Sequence, residues 1–338
     1  VTRGSVRSII GARHLSFRTC TSTPMTRTLD ALLKLDELQS LLGSGDADKL
    51  HDAARRAQVA LGFRATDAML GLEPVGEDVL ERLGAAVRAA LREATALGVH
   101  DAACELARMH MADGDLDGAF ATVVAAAEAG HCPGVELAAH IAGRTRDPQR
   151  AAQALGWLQA ARERDEHGRM HFMLGLFACQ GVGGEVDVAR GLACHTEAAA
   201  RGDADAMFEL YVMHARGLGC PADEAVALVW CRKAAEGGNV RAMGNLGGFY
   251  ATGSGVERDP ARAVEWYERA AQLGHGRSAA TLGTMYATGD GVVVAREQAR
   301  LWFRTADDLG FDWRDMAEAV GLDVEAWDDA FAGPMGLD

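Results

Sequence analysis

The sequence predicts an all-α chain, an α-solenoid of stacked antiparallel helix pairs, and three observations carry that expectation. Displaced by 36 residues against itself, the sequence aligns Leu174, Leu210, Leu246 and Leu282 in one column and Gly181, Gly217, Gly253 and Gly289 in a second. Gly183, Gly219, Gly255 and Gly291 form a third, and Trp230, Trp266 and Trp302 a fourth, with Cys194 standing in upstream. Ala198, Ala234, Ala270 and Ala306 follow, and Gly202, Gly238, Gly274 and Gly310 close each unit. The second observation is local: apolar residues recur at helical spacing on both sides of each glycine turn. The third is compositional. The apolar share of 49% rests largely on alanine, with only 6% aromatics, which suits helices that approach closely. One helix pair cannot bury both its faces, so similar copies stack and supply one another's core.

Taken in chain order, residues 1–27 stand apart. Arg3, Arg7, Arg13, Arg18 and Arg27 sit among many Ser and Thr, with no acid before Asp30. This stretch reads as a disordered leader, either an organelle transit segment or sequence upstream of a start at Met25, and is set aside from the fold. Residues 28–98 read as three helices, TLDALLKLDELQSLL, DADKLHDAARRAQVALG and GEDVLERLGAAVRAALREATALG. Gly43 to Gly45 and Pro74 to Gly76 separate them, and they form either a helical cap or degenerate repeats.

Residues 99–310 are expected to form the repeat array, in units near 99–130, 131–166, 167–202, 203–238, 239–274 and 275–310. The unit from Asn239 shows the plan. Ala242, Leu246 and Tyr250 make one helical stripe; Gly253 and Gly255 then stop the helix, since each would cost about 1 kcal/mol relative to alanine inside it. Asp259 and Pro260 open the second helix as N-cap and first residue, Ala263, Trp266, Ala270 and Ala271 line it, and Gly274 ends it. Asp147 and Pro148 mark the same start, before Trp157, Ala160 and Ala161, and Asp101 to His131 repeats the plan with a compressed turn. In residues 311–338, DWRDMAEAVG and DVEAWDDAFAG read as two short acidic helices, each opened by an Asp cap, giving the array a polar end.

The Gly-x-Gly-Val turns, the Leu-Gly of the first helix and the Trp-Tyr or Trp-Phe followed by Ala-Ala of the second resemble the Sel-one-like repeat family, a relative of the tetratricopeptide helical repeats. LGGFYATGSGV with AVEWYERAAQLGH, then LGTMYATGDGV with ARLWFRTADDLG, carry the resemblance best. It is specific across Asp203 to Gly310, fair back to His131, and fades before that. Tyr211 departs from the usual glycine after the leucine, His214 and Ala178 from the tyrosine, and Cys194 from the tryptophan.

The net charge of −14 argues against nucleic acid or an anionic membrane face as partner, and the longest apolar run, near Ala119 to Ala127, is too short to span a bilayer. Seven scattered cysteines, Cys20, Cys104, Cys132, Cys179, Cys194, Cys220 and Cys231, include no Cys-x-x-Cys pair. Reduced thiols in a cytoplasmic protein are the expectation; a secreted, disulfide-bearing array is the alternative and would need one pair per unit.

No phosphate loop, nucleophile elbow or His-Glu-x-x-His occurs, and the glycine turns lie between helices, unlike a nucleotide-binding turn. His100, His131, His167 and His275 recur with the repeat. His167 and His171 have metal-compatible spacing, with Cys179 and Cys194 in the same unit, but packing or capping is the plainer reading. The expectation is no cofactor, no metal and no catalysis.

The resemblance instead implies a groove lined by the first helices, with Arg169, Phe172, Leu176, Phe208, Val212, Arg216, Arg241 and Arg277 facing it. Phe172, Leu176, Phe208 and Val212 would be apolar where a solvated wall should be polar, unless neighbouring helices cover them. Apolar residues beside arginines suggest a protein or peptide segment, or an amphipathic helix, with an acidic flank. The chain is thus expected to be an interaction scaffold or adaptor, with self-association possible. The alternative is an enzyme or regulatory subunit whose active part lies in residues 28–98.

Overall fold

A computed structural model of the chain describes residues 24–61, 76–324 and 327. Residues 1–23, Pro74 and most of the second C-terminal helix expected from the sequence lie outside them. Among the described residues there are helices and turns and no strand. The described residues form two compact units, one within residues 24–187 and one within residues 188–327.

The first unit opens with α1 (Pro24–Leu41), α2 (Ala47–Leu61) and α3 (Glu77–Ala96). Here α3 packs on both α1 and α2 and then on α4 (His100–Ala112). Leu35, Leu38, Leu50, Leu83 and Leu91 form one apolar cluster with Ala102 and Leu106 of α4, so the N-terminal helices share their core with the first repeat-like pair. That pair continues into α5 (Leu116–Glu128), followed by α6 (Cys132–Thr145), α7 (Pro148–Ala161) and α8 (Arg169–Gln180). Successive helices pack on each other, and α4, α6 and α8 also touch directly, which makes the first helices one layer. The turn between α6 and α7 lacks the glycine pair, and Arg146 takes the left-handed conformation at φ 53° in its place.

The second unit runs α9 (Val188–Ala200), α10 (Ala204–Arg216), α11 (Glu224–Glu236), α12 (Val240–Thr252), α13 (Pro260–Gln272), α14 (Gly276–Thr288), α15 (Arg296–Asp308) and α16 (Arg314–Ala319). Helices α10 to α13 start where short polar side chains accept orphan backbone N–H groups. Asp203, Asp223, Asn239 and Asp259 accept from the N–H three residues on, at 2.7, 3.0, 2.8 and 3.1 Å. The first glycine column ends the first helices: Gly217, Gly253 and Gly289 are left-handed at φ 69°, 77° and 86°. The second glycine column is left-handed too, with Gly219 and Gly291 at φ 71° and 77°, and it is also closely approached. A methyl group on Gly291 would lie 2.6 Å from Pro260 Cβ, and one on Gly219 would lie 3.0 Å from the Val188 carbonyl oxygen, each at the head of the preceding second helix.

The glycine after the column leucine makes room for a ring. A methyl group on Gly247 would sit 2.8 Å from the Tyr267 ring and one on Gly283 2.4 Å from that of Phe303. The departure at Tyr211 follows the same rule with the partners exchanged. Where α10 carries the ring, α11 carries the small Cys231, which is fully buried in the cluster that Tyr211 packs against. One aromatic ring per interface is kept, supplied by the other helix.

Trp230 and Trp266 hold equivalent half-buried places, with Lys233 Nζ 4.6 Å and Arg269 Cζ 4.8 Å from their ring centroids. Trp302 is buried because the chain closes over it. Phe303 stacks on Trp313 at 4.1 Å and 21°, and Trp327 meets Phe303 edge-on at 5.6 Å. Trp313 donates its indole N–H to Asp307 at 3.0 Å. The end expected to be polar is therefore closed by aromatic rings beneath an acidic surface.

Candidate protein-binding groove

The sequence-derived groove positions divide between the two units. In the first, Arg169 Nε donates to Glu136 Oε1 at 2.7 Å and its guanidinium lies 4.7 Å from the Phe172 ring centroid. Phe172 is only 8% exposed, Leu176 is half-buried, and Arg169 is held at its own helix start, where Asp165 accepts three successive backbone N–H groups and lies 3.2 Å from His171 Nδ1. In the second unit Phe208 is 4% exposed and packs with Cys231, Met243 and Leu246, while the Arg241 guanidinium lies 4.3 Å from its ring centroid. Val212 is half-buried.

The expectation of Phe172 and Phe208 as an exposed apolar wall is therefore corrected. An arginine covers each ring, from one turn away on the same helix for Phe172 and from the next first helix for Phe208. The arginines are what reach solvent: Arg216, Arg241 and Arg277 are exposed.

An open pocket of about 700 Å³ lies on the second unit, among α10, α12, α14 and α16. Its floor is bare helix backbone at Gly244 and Gly248. A methyl group on Gly248 would meet nothing nearer than Tyr267 Oη at 3.6 Å, so packing does not require glycine there. Gly244 is different, because His275 would lie 2.7 Å from an added methyl. Tyr211, Phe249 and Phe311 supply aromatic walls, with Tyr211 and Phe249 edge to face at 6.2 Å. Asn245 and Thr281 add uncharged polar groups; Thr281 donates its hydroxyl to the Arg277 carbonyl at 2.9 Å.

The charges are arranged unevenly. Arg277 lines the pocket with its guanidinium 5.8 Å from the Phe311 ring centroid, and Asp312 and Asp315 line it as well. Asp312 accepts from the Arg314 backbone N–H and side chain, which hold its carboxyl below the ordinary range. His275 Nδ1 lies 2.7 Å from Ser278 Oγ; burial, then the Arg277 and Arg241 charges, push its imidazole below its usual range and keep it neutral near pH 7.

Of the groove positions that the resemblance implies, this pocket is lined by Arg277; Tyr211, Phe249 and the residues after Gly310 were not among them. The signal for Tyr211 was its departure from the glycine column. Nothing local announces that Phe311 and Asp315 turn back onto α14.

Among the described residues no three His, Cys, Asp or Glu side chains converge on a metal-sized space, and no helix is long and apolar enough to cross a membrane. Cys104 and Cys231 are buried thiols, pushed up to about 11 and about 12 mainly by desolvation.

Comparison with known proteins agrees with the geometry. The family model described as Sel1 repeat matches residues 169–203, 204–239, 240–275 and 277–311. Among solved structures the chain is similar to a Sel1 repeat protein from Oxalobacter formigenes, at 28% identity over 61% of this chain and 84% of that one, with a TM-score of 0.51. It is also similar to c5321, a protective antigen present in uropathogenic Escherichia coli strains displaying an SLR fold, at 24% identity over 82% of this chain and 64% of that one, TM-score 0.46. None of the curated proteins matches. Sel1 repeat proteins generally serve as protein-interaction scaffolds. The pairs α4–α5 and α6–α7 share the plan outside the matched stretch, and residues 169–311 are four consecutive repeats of the Sel1 family.

Proposed function

We propose that the chain is a non-catalytic interaction scaffold that holds a protein segment along the first helices of its second unit, anchored in the pocket over Gly244 and Gly248. The observation that carries this reading is Gly248. A glycine in mid-helix costs about 1 kcal/mol relative to alanine, and here neither a turn nor a packed neighbour calls for it. Its effect is to leave backbone and volume open beneath three aromatic rings, the composition of a peptide-recognition groove. The N-terminal helices place their large apolar side chains in a shared core, which supports a structural part for residues 28–98.

The test is a photo-crosslinking residue at Asn245, with Glu265 on the exposed side of α13 as control site, in the full chain exposed to native lysate. Capture at Asn245 and not at Glu265, lost when Gly248→Gln fills the pocket, is the expected result. Equal capture at both sites, or capture unchanged by Gly248→Gln, would overturn the groove assignment.

A further inference from the structure

We propose that Cys220 and His214 form a modification site at the turn between α10 and α11, where the imidazole takes the thiol proton and Cys220 exchanges with the disulfide of a small thiol. This site is separate from the groove and does not depend on it. The repeat itself singles the pair out. In the two copies that follow, the places of His214 and Cys220 are held by Tyr250 with Val256 and by Tyr286 with Val292, and in the copy before by Ala178 with Gly184. Tyr250 and Val256 line one pocket, and Tyr286 and Val292 pack against one apolar cluster. The backbone frame does not change: the N–H groups of Asp223, Asp259 and Ala295 donate to the carbonyls of His214, Tyr250 and Tyr286 at 2.9, 2.8 and 2.9 Å. One copy thus carries, on the same turn, a base and a nucleophile where its neighbours carry a packing pair.

The geometry suits that chemistry. Cys220 Sγ lies 3.5 Å from His214 Nδ1, and both side chains are partly exposed. The carbonyls of Met213 and Leu218 are farther from the sulfur, at 3.9 and 3.8 Å, so the imidazole nitrogen is the nearest of these three acceptors. Cys104 supplies the contrast. Its Sγ is 3.9 Å from His131 Nδ1, but it is 1% exposed and desolvation pushes its thiol up to about 11, so a similar pair is closed to reagents there. At Cys220, with the ring proton on Nε2, the thiol proton moves to Nδ1 and Sγ attacks one sulfur of the disulfide. The new S–S bond forms as the old one breaks; the leaving sulfur carries away the electron pair and takes the proton from Nδ1. Cys220 is oxidised to the mixed disulfide, half of the reagent is reduced to a free thiol, and no further reactant is needed.

The experiment treats the full chain with dithiodipyridine under native conditions, follows the released thiopyridone by absorbance, and locates the modified thiols by peptide mass mapping. Cys220→Val and His214→Tyr each install the residue that the next copy carries, and His214→Asn keeps a polar group near Sγ without a base; thermal melts confirm that each variant folds. The expected result is a fast thiol, mapped to Cys220, that reacts well ahead of the partly exposed Cys132. The fast phase should vanish in Cys220→Val and slow about a hundredfold in both His214→Asn and His214→Tyr, the lower end of general-base contributions. A rate unchanged in His214→Asn, even if His214→Tyr slows it, would show that ring bulk and not proton transfer governs the thiol, and would overturn the proposal. A Cys220 that reacts no faster than Cys132 would overturn it as well.

Discussion

Three alanine substitutions at glycines of one kind of helix should give opposite signs. Alanine is favoured over glycine in a helix by about 0.8–1 kcal/mol, so the sign depends on what the added methyl meets. At Gly248 it meets Tyr267 Oη at 3.6 Å, an ordinary contact, and Gly248→Ala should stabilise by close to the full amount, raising Tm by about 2–4 °C. At Gly247, one residue earlier, the methyl would sit 2.8, 2.9 and 3.1 Å from three Tyr267 ring atoms, and that ring is 8% exposed with little room to withdraw. Overpacking of this kind costs about 1–3 kcal/mol, so Gly247→Ala should lose about 1 kcal/mol net. Gly283→Ala should be worst. Its methyl would lie 2.4 and 2.5 Å from a Phe303 ring that is fully buried and stacked on Trp313, and we expect a loss of about 2 kcal/mol or more. Thermal and urea unfolding followed by far-UV circular dichroism would order the four proteins. If Gly247→Ala matched Gly248→Ala, the account of the glycine column as a seat for a ring would be wrong.

Three further outcomes can be checked in the same assays. His195 is 1% exposed and burial pushes it down to about 4 from 6.5; because the unfolded chain binds the proton first, stability present above pH 6.5 should fall by up to about 3 kcal/mol as pH drops toward 4, and His195→Leu should flatten that slope. Asp165→Ala removes the acceptor of the Arg169, Met170 and His171 backbone N–H groups at 2.9, 2.7 and 3.2 Å, and urea unfolding should show a loss near the upper end of cap values, about 2 kcal/mol. Phe208→Ala should cost about 3–5 kcal/mol by denaturation, the mark of a core ring, where an exposed groove contact would leave stability nearly untouched.

The sequence made the repeat legible because its cause is geometric. Glycines that need a left-handed turn, acids that cap, and rings that need a facing gap all return at the spacing of the contact they serve. The Tyr211 and Cys231 exchange was visible only as the departure at Tyr211, since reading it as an exchange requires knowing that the two positions touch. The groove was half legible. The resemblance implied the face on which Arg241 and Arg277 stand, but not what lies over Phe172 and Phe208, because a long flexible cation can cover a ring from several starting points. The wall contributed by Phe311 and Asp315 was hidden for another reason: it depends on the chain after Gly310 folding back, and no column predicts a contact that occurs once.

The rings that shut the carboxyl end also limit how such a chain can lengthen. Phe303 is the last member of its column and already has Trp313 against one face and Trp327 at its edge. A further copy joined after Gly310 would have to displace both indoles before it could dock, leaving them in water. Copies inserted between existing ones meet no such obstacle, since each brings the same ring and gap that its neighbours present. A copy placed between existing ones would keep every ring-and-gap contact, whereas one placed after Gly310 would break those of Phe303 with Trp313 and Trp327.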